Sequence, residues 1–215
     1  MIVARHRRAG AVALTAVAAV LLSACGGVKA GSAAVVGDSV LTESQVSEAG
    51  QEIVDIAATA ELPPPAAADL NVRLVGIWVE EQLTEALADE SGVSVSAGDV
   101  DAFLGQFTED DLLQIAVSAG IGPGALDRAA QTQLLQQQLA LQLVPDGTPE
   151  EQGQALRAAL ARTGAELGVS VNPRYAAYDA TVAQVVARPD DRLSSPEPIP
   201  SPSSGGGIPL VPPAG

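Results

Sequence analysis

The chain has 215 residues, 26 acidic and 11 basic, for a net charge of −15. An acidic excess of that size argues against nucleic acid as a partner, because affinity for it comes largely from Lys and Arg neutralising phosphates. One histidine, one cysteine and five aromatic residues leave little for Ser-His-Asp, Cys-His or zinc chemistry. They also demand a core of Leu, Val, Ile and Ala, and a single thiol precludes a disulfide within the chain.

The first segment reads as a leader. Arg5, His6, Arg7 and Arg8 form a basic head, and Ala11 to Leu22 is an uncharged apolar run. That run is too short to span a bilayer, which needs ~20 residues. Leu22-Ser23-Ala24-Cys25 then places small residues before the cysteine, and this quartet resembles the lipobox of bacterial lipoproteins. The resemblance implies cleavage before Cys25, alkylation of its thiol by diacylglycerol with palmitate-type acyl chains, and anchoring at the extracytoplasmic face of the cell membrane. An ordinary secretory signal with an incidental cysteine is the alternative. At ~0.8 kcal/mol per buried methylene, two acyl chains hold a protein stably without a transmembrane helix. Processing at Cys25 removes Arg5, Arg7, Arg8 and the only histidine, leaving 191 residues with 8 basic and 26 acidic groups, a net charge of −18.

Residues 25–32 are small and polar, a tether, and the domain is expected over 33–187. Ala33 to Val36, a Gly37-Asp38-Ser39 turn, and Val40-Leu41 predict a strand pair. Thr42-Glu43-Ser44-Gln45 has capping-box spacing and opens a helix with Val46, Ala49, Ile53, Ala57 and Ala60 on one face, ended by Pro63-Pro64-Pro65. From Ala66 to Glu90 only Gly76 interrupts a long helix. One row on it is Leu70, Leu74, Ile77 and Trp78, and a second is Val72, Val75, Val79, Leu83 and Leu87. Two adjacent rows make a face wider than a surface helix needs, so this is expected to be the central packing helix. Gly92 is the expected left-handed cap, and Val93-Ser94-Val95 is extended.

Ser96 to Asp99 opens the next helix, with Val100, Phe103, Leu104 and Phe107 at i, i+3, i+4, i+7. Thr108-Glu109-Asp110-Asp111 starts a shorter one ending near Gly120. Pro123 opens a helix to about Val144 with rows Leu126, Ala130, Leu134 and Leu135, Leu139, Leu143. Thr148-Pro149-Glu150-Glu151 is another capping box, with proline at its favoured first position. Its helix carries Leu156, Ala159, Leu160 and Leu167 and stops at Gly168. Val169-Ser170-Val171 is a short strand, and Val182 to Ala187 a further extended piece. Residues 188–215 are mostly Pro, Ser and Gly and are expected to be a disordered tail.

In order and spacing, these elements resemble the N-terminal domain of the SurA family of periplasmic chaperones and related actinobacterial lipoproteins. The residues that carry the likeness run from Ala33 through Gly37-Asp38-Ser39 to Val46. They continue with Leu87 to Ser96 around Gly92-Val93-Ser94-Val95, Asp99-Val100-Asp101, and Val169 to Tyr175. The resemblance implies a mainly helical domain of about six helices. A small antiparallel sheet would join its N- and C-terminal ends, with Val169 to Val171 returning to Ala33 to Val36. It also implies a chaperone-like module for unfolded or extended polypeptides. The family's prolyl isomerase insert is missing: Leu143 to Glu166 holds one loop and one helix, and no histidine follows Cys25. The expected chain is therefore not an enzyme and carries no cofactor or metal.

Asp99-Val100-Asp101 reads as dipole-complementing acid in a first helical turn rather than a metal site. Neighbouring carboxylates such as Glu80-Glu81 point to different sides of a helix, which predicts solvated faces for them. Trp78 is expected in the core, with a client-lining role as the alternative. Tyr175 and Tyr178 either rim a client site or cover the sheet edge. The competing functional reading is a structural or interaction lipoprotein of the cell envelope without client binding. If Cys25 carries the anchor, Cys25→Ser shifts the protein from the membrane to the soluble fraction on ultracentrifugation; unchanged membrane partition would rule the anchor out.

Overall fold

The computed structural model describes residues 30–187. The leader 1–24, the lipidation residue Cys25, tether residues 26–29 and the tail 188–215 lie outside the described residues. β1 (Ser32–Val36) and β2 (Ser39–Thr42) form an antiparallel hairpin, and β3 (Val169–Val171) adds antiparallel to the other side of β1. Ala34 faces Leu41 on one side and Val171 on the other, so the two ends of the domain are joined through β1. β1 begins at Ser32, which is buried although the sequence places it in the tether.

Asn172 latches this junction. Its amide N–H donates to the Ala33 carbonyl at 2.8 Å, and its side-chain Nδ2 donates at 3.0 Å to both the Ser32 carbonyl and the Glu43 carboxylate. The same Glu43 carboxylate meets Arg174 at 3.4 Å. Side-chain hydrogen bonds to backbone in a partly buried setting resist exchange for water, which makes this contact the clasp of the sheet.

Six helices lie between the strands: α1 (Glu43–Thr59), α2 (Ala67–Ser91), α3 (Ala97–Leu104), α4 (Glu109–Ala119), α5 (Leu126–Leu143) and α6 (Pro149–Leu167). Four of them start with a reciprocal capping box, Thr42 with Gln45, Ser96 with Asp99, Thr108 with Asp111 and Thr148 with Glu151. In each, the cap oxygen accepts one free amide and the third helical residue accepts the amide of the cap. The hydroxyl and amide donors of Ser96 and Thr108 hold the Asp99 and Asp111 carboxyls below the ordinary range, and Thr148 does the same to Glu151. Gly92 and Gly120 close α2 and α4 in the left-handed region, with φ of 67° and 71°.

α2 is the axis of the domain and touches α1, α5, α6, β1, β2 and a second hairpin. That hairpin pairs β4 (Ala177–Asp179) with β5 (Gln184–Val186), and β5 crosses α2 where Gly76 brings Val185 close. Of the two apolar rows on α2, Val75, Val79, Leu83 and Leu87 form the fully buried one. They join Val36, Leu41, Val46, Leu135, Leu139 and Leu160 in one core cluster.

Two sequence expectations need correction. Phe107 does not extend the apolar face of α3, because that helix ends at Leu104; it lies beyond, 38% exposed, edge-on to Phe103. Leu143 and Leu167 sit at the last residues of α5 and α6 and are more than a third exposed, so their rows run off the end of the core. β4 carried no strand signal of its own; it is held as half of a hairpin whose turn is tied by Thr181 donating to Asp179.

α6 owes its approach to β4 to Gly164. A β-carbon there would run into the Tyr178 hydroxyl, which is buried and without a hydrogen-bond partner. Gly164→Ala is therefore expected to destabilise the domain by about 1–3 kcal/mol through overpacking, despite the ~1 kcal/mol by which Ala outranks Gly in helices. Tyr178→Phe removes an unsatisfied buried hydroxyl and is expected to be neutral or stabilising by up to about 1 kcal/mol. The double variant should recover the stability lost in Gly164→Ala, as read by urea unfolding; a double variant no more stable than Gly164→Ala alone would refute this account.

Candidate functional site

The half-buried row of α2 does not meet another helix along its whole length. Leu74, Ile77 and Trp78 instead line a cleft of about 480 Å³, walled by Val46 and Ala49 of α1 and by the α4–α5 loop at Ile121. Leu41 of β2 closes one end. At the loop, Gly122 is buried with the Glu52 carboxylate of α1 against it; a β-carbon there would lie 2.9 Å from that carboxylate. The volume falls in the range of ligand clefts, about 300–1,000 Å³.

The row continues one further step to Glu81, three residues after Trp78 and so on the same helix face. Glu81 is only 8% exposed and also lines this cleft. Sequence reasoning assigned Glu80 and Glu81 alike to solvated faces; Glu80 is exposed, but Glu81 is not. The physical reason is the helix turn between them: position 81 extends the stripe of 74, 77 and 78 into the cleft beside α1 and the α4–α5 loop, whereas position 80 turns outward. Glu80 instead accepts a hydrogen bond from Gln136 at 2.7 Å.

Glu81 has no hydrogen bond or ion pair within 4 Å among the described residues. Burial pushes its carboxyl above the ordinary carboxylate range; Arg128 pulls it back, and Glu85 and Glu80 add to the rise. Arg128 stands exposed on α5, a lining residue of the same cleft that does not reach Glu81 as an ion pair. Glu48 and Glu52 bring the carboxylates of the lining to three against one guanidinium.

The three aromatic residues named from the sequence are not assembled into one site. Trp78 is half-buried, against the core on one side and lining the cleft on the other, rather than wholly in the core. Tyr175 and Tyr178 pack against the core beside β3 and β4 and are not among the cleft residues. Burial raises the pKa of both tyrosines, aided by Glu43 at Tyr175 and by Asp179 at Tyr178. Asp99 serves the capping box of α3, and no group of three His, Cys, Asp or Glu among the described residues is placed to hold a metal ion. Among the described residues no helix is long and apolar enough to cross a membrane. No protein-family model, no curated protein and no solved structure matches the chain.

A carboxyl whose pKa is higher in the folded chain than in the unfolded one binds its proton more tightly when folded. Its contribution to stability is complete below the ordinary glutamate value of 4.5 and is lost as pH rises through the raised value. The ionised Glu81 thus weakens the fold at neutral pH. Glu81→Gln is expected to raise the melting temperature at pH 7 by roughly 2–4 °C, the shift that about 1 kcal/mol produces in a domain of this size. The gap from the native chain should close towards pH 4. A lower melting temperature for Glu81→Gln at pH 7 would show that the carboxylate is compensated inside the protein.

Proposed function

We propose that this chain is a chaperone-like module, held at the extracytoplasmic face of the cell membrane by acyl groups on Cys25. It takes up unfolded or extended polypeptide in the cleft beside Trp78 and has no prolyl isomerase activity. The observation that carries this reading is the partly covered apolar row Leu74, Ile77, Trp78, which lines a cleft on the central helix. The faces of these side chains turned to the cleft still gain from leaving water, at ~25 cal/mol per Å², and an extended segment supplies such surface. The order of elements resembling SurA N-terminal domains supports the same reading. The absence of isomerase activity rests on the span from Leu143 to Glu166, where α5 is followed by a loop and α6 only. A structural lipoprotein of the cell envelope is the second reading. One observation favours it: the exposed large apolar residues, among them Ile115, Leu141, Leu167 and Val186, are spread over α4, α5, α6 and β5 rather than gathered in one groove.

The test is titration of the anchor-free chain, residues 26–215, with extended apolar peptides, followed by Trp78 fluorescence and calorimetry at low and high ionic strength. The expected Kd is on the order of 10–100 μM, about −5.5 to −7 kcal/mol. It should survive added salt, because screening weakens exposed charge pairs and not apolar burial. Absence of binding at both ionic strengths would leave the structural reading in place.

A further inference from the structure

Glu81 has a feature that an apolar client site does not require. A charged side chain interrupts the stripe Leu74, Ile77, Trp78 at the next helical position, in a residue only 8% exposed; its carboxylate keeps contact with solvent and meets no hydrogen-bond or ion-pair partner among the described residues. A leucine or glutamine there would avoid the cost of a carboxylate partly withdrawn from water. We propose that the cleft between α1, α2 and the α4–α5 loop is specific for an extended apolar segment bearing one lysine or arginine, whose cationic group pairs with the Glu81 carboxylate. This rests on the polypeptide-binding reading above and narrows its substrate class.

Three observations support a cationic occupant. The lining carries Glu48, Glu52 and Glu81 against Arg128 alone, so the local field favours a cation over an anion. Trp78 sits one helical turn from Glu81 in the same cleft, where an aromatic face and a carboxylate together suit a cation with an apolar stem. The apolar walls Val46, Ala49 and Ile77 match the methylenes of such a stem and the neighbours that flank it. Partial withdrawal of Glu81 from water enlarges the effect, because charge-assisted hydrogen bonds strengthen where the local dielectric is lower. Arg128 acts in this arrangement as a competing cation at the mouth of the cleft: its charge reaches Glu81, but its side chain does not pair with it.

The experiment compares one apolar host peptide carrying a central lysine, norleucine or glutamate, titrated into the anchor-free chain and into its Glu81→Gln and Arg128→Gln variants. The lysine peptide is expected to bind the native chain about tenfold tighter than the norleucine peptide, the low end of what a charge-assisted hydrogen bond supplies. The glutamate peptide should bind most weakly. In Glu81→Gln the lysine-to-norleucine ratio should fall to about one, and in Arg128→Gln it should rise. Circular dichroism of both variants checks that the fold is kept. Equal affinity of the native chain for the lysine and norleucine peptides would overturn the cation preference while leaving peptide binding standing. A tenfold preference that persists in Glu81→Gln would assign it to another carboxylate and overturn the role of Glu81. No binding of any of the three peptides would overturn this inference and the peptide-binding function together.

Discussion

Burial of the Val75, Val79, Leu83 and Leu87 row of α2 is the contact on which the rest of the domain depends. Each side chain in such a row contributes roughly 1.5–3 kcal/mol when taken out of water. With five aromatic residues in the whole chain, no large ring can substitute for it. A row of aliphatic side chains on one helix needs cover along its full length, and that cover comes from distant parts of the sequence. β1 and β2 arrive from the N-terminal side, and α5, α6 and β5 from the C-terminal side. The antiparallel pairing of β1 with β3 and the Asn172 latch follow from this. Elements that must meet around one helix bring the two ends of the domain together, where their free backbone groups satisfy each other.

The second row of α2 is only partly covered, and the difference between the rows creates the site. α5 packs along the Leu83–Leu87 end, with Gln136 donating to both Glu80 and Thr84 across the interface. α1 faces Leu74, Ile77 and Trp78 on one side and the α4–α5 loop on the other, and a loop does not fill the space that a second row of helical side chains would. The resulting cleft holds the lone tryptophan and the one glutamate of the central helix that is removed from water. Placing an unpaired carboxylate there opposes the stability of the fold. The same carboxylate is the strongest chemical signal in the cleft, since a buried charge discriminates between ligands more sharply than apolar contact does.

The C-terminal part of the domain illustrates a different constraint. β4 and β5 are three residues each and depend on close approach to helices: β5 to α2 over Gly76, β4 to α6 through Tyr178 over Gly164. The tyrosine hydroxyl is left without a partner, so its ring is retained in that position by packing rather than by hydrogen bonding.

Much of the architecture was legible in the residues themselves. The capping boxes at Thr42 and Thr148, the helix openings at Ser96 and Thr108, Pro149 at a first helical position, the Gly92 cap and the strands around Gly37 are local signals. Each is satisfied within a few residues and works the same way whatever surrounds it, so the order of elements and the capped helix starts could be read directly, whereas α5 begins at Leu126 after a 3-10 turn at Pro123–Ala125 rather than at Pro123. The return of Val169 to Val171 to the first strand came from the resemblance in element order, and the β1–β3 register bears it out. Which of two apolar rows becomes core is a different kind of question, because its answer depends on residues about fifty positions away. Periodicity shows that Leu74 and Val75 both lie on an apolar face; only the placement of α5 and the α4–α5 loop decides that Val75 is sealed and Leu74 lines a cleft. Glu80 and Glu81 make the point most clearly. They are adjacent and chemically identical, yet one is exposed and bonds to Gln136 and the other is buried beside the cleft. The sequence by itself determined that position 81 lies on the same helix face as Trp78; the tertiary structure alone decided that Glu81 is buried while Trp78 lines a half-open cleft, because burial is a property of the neighbours and not of the residue.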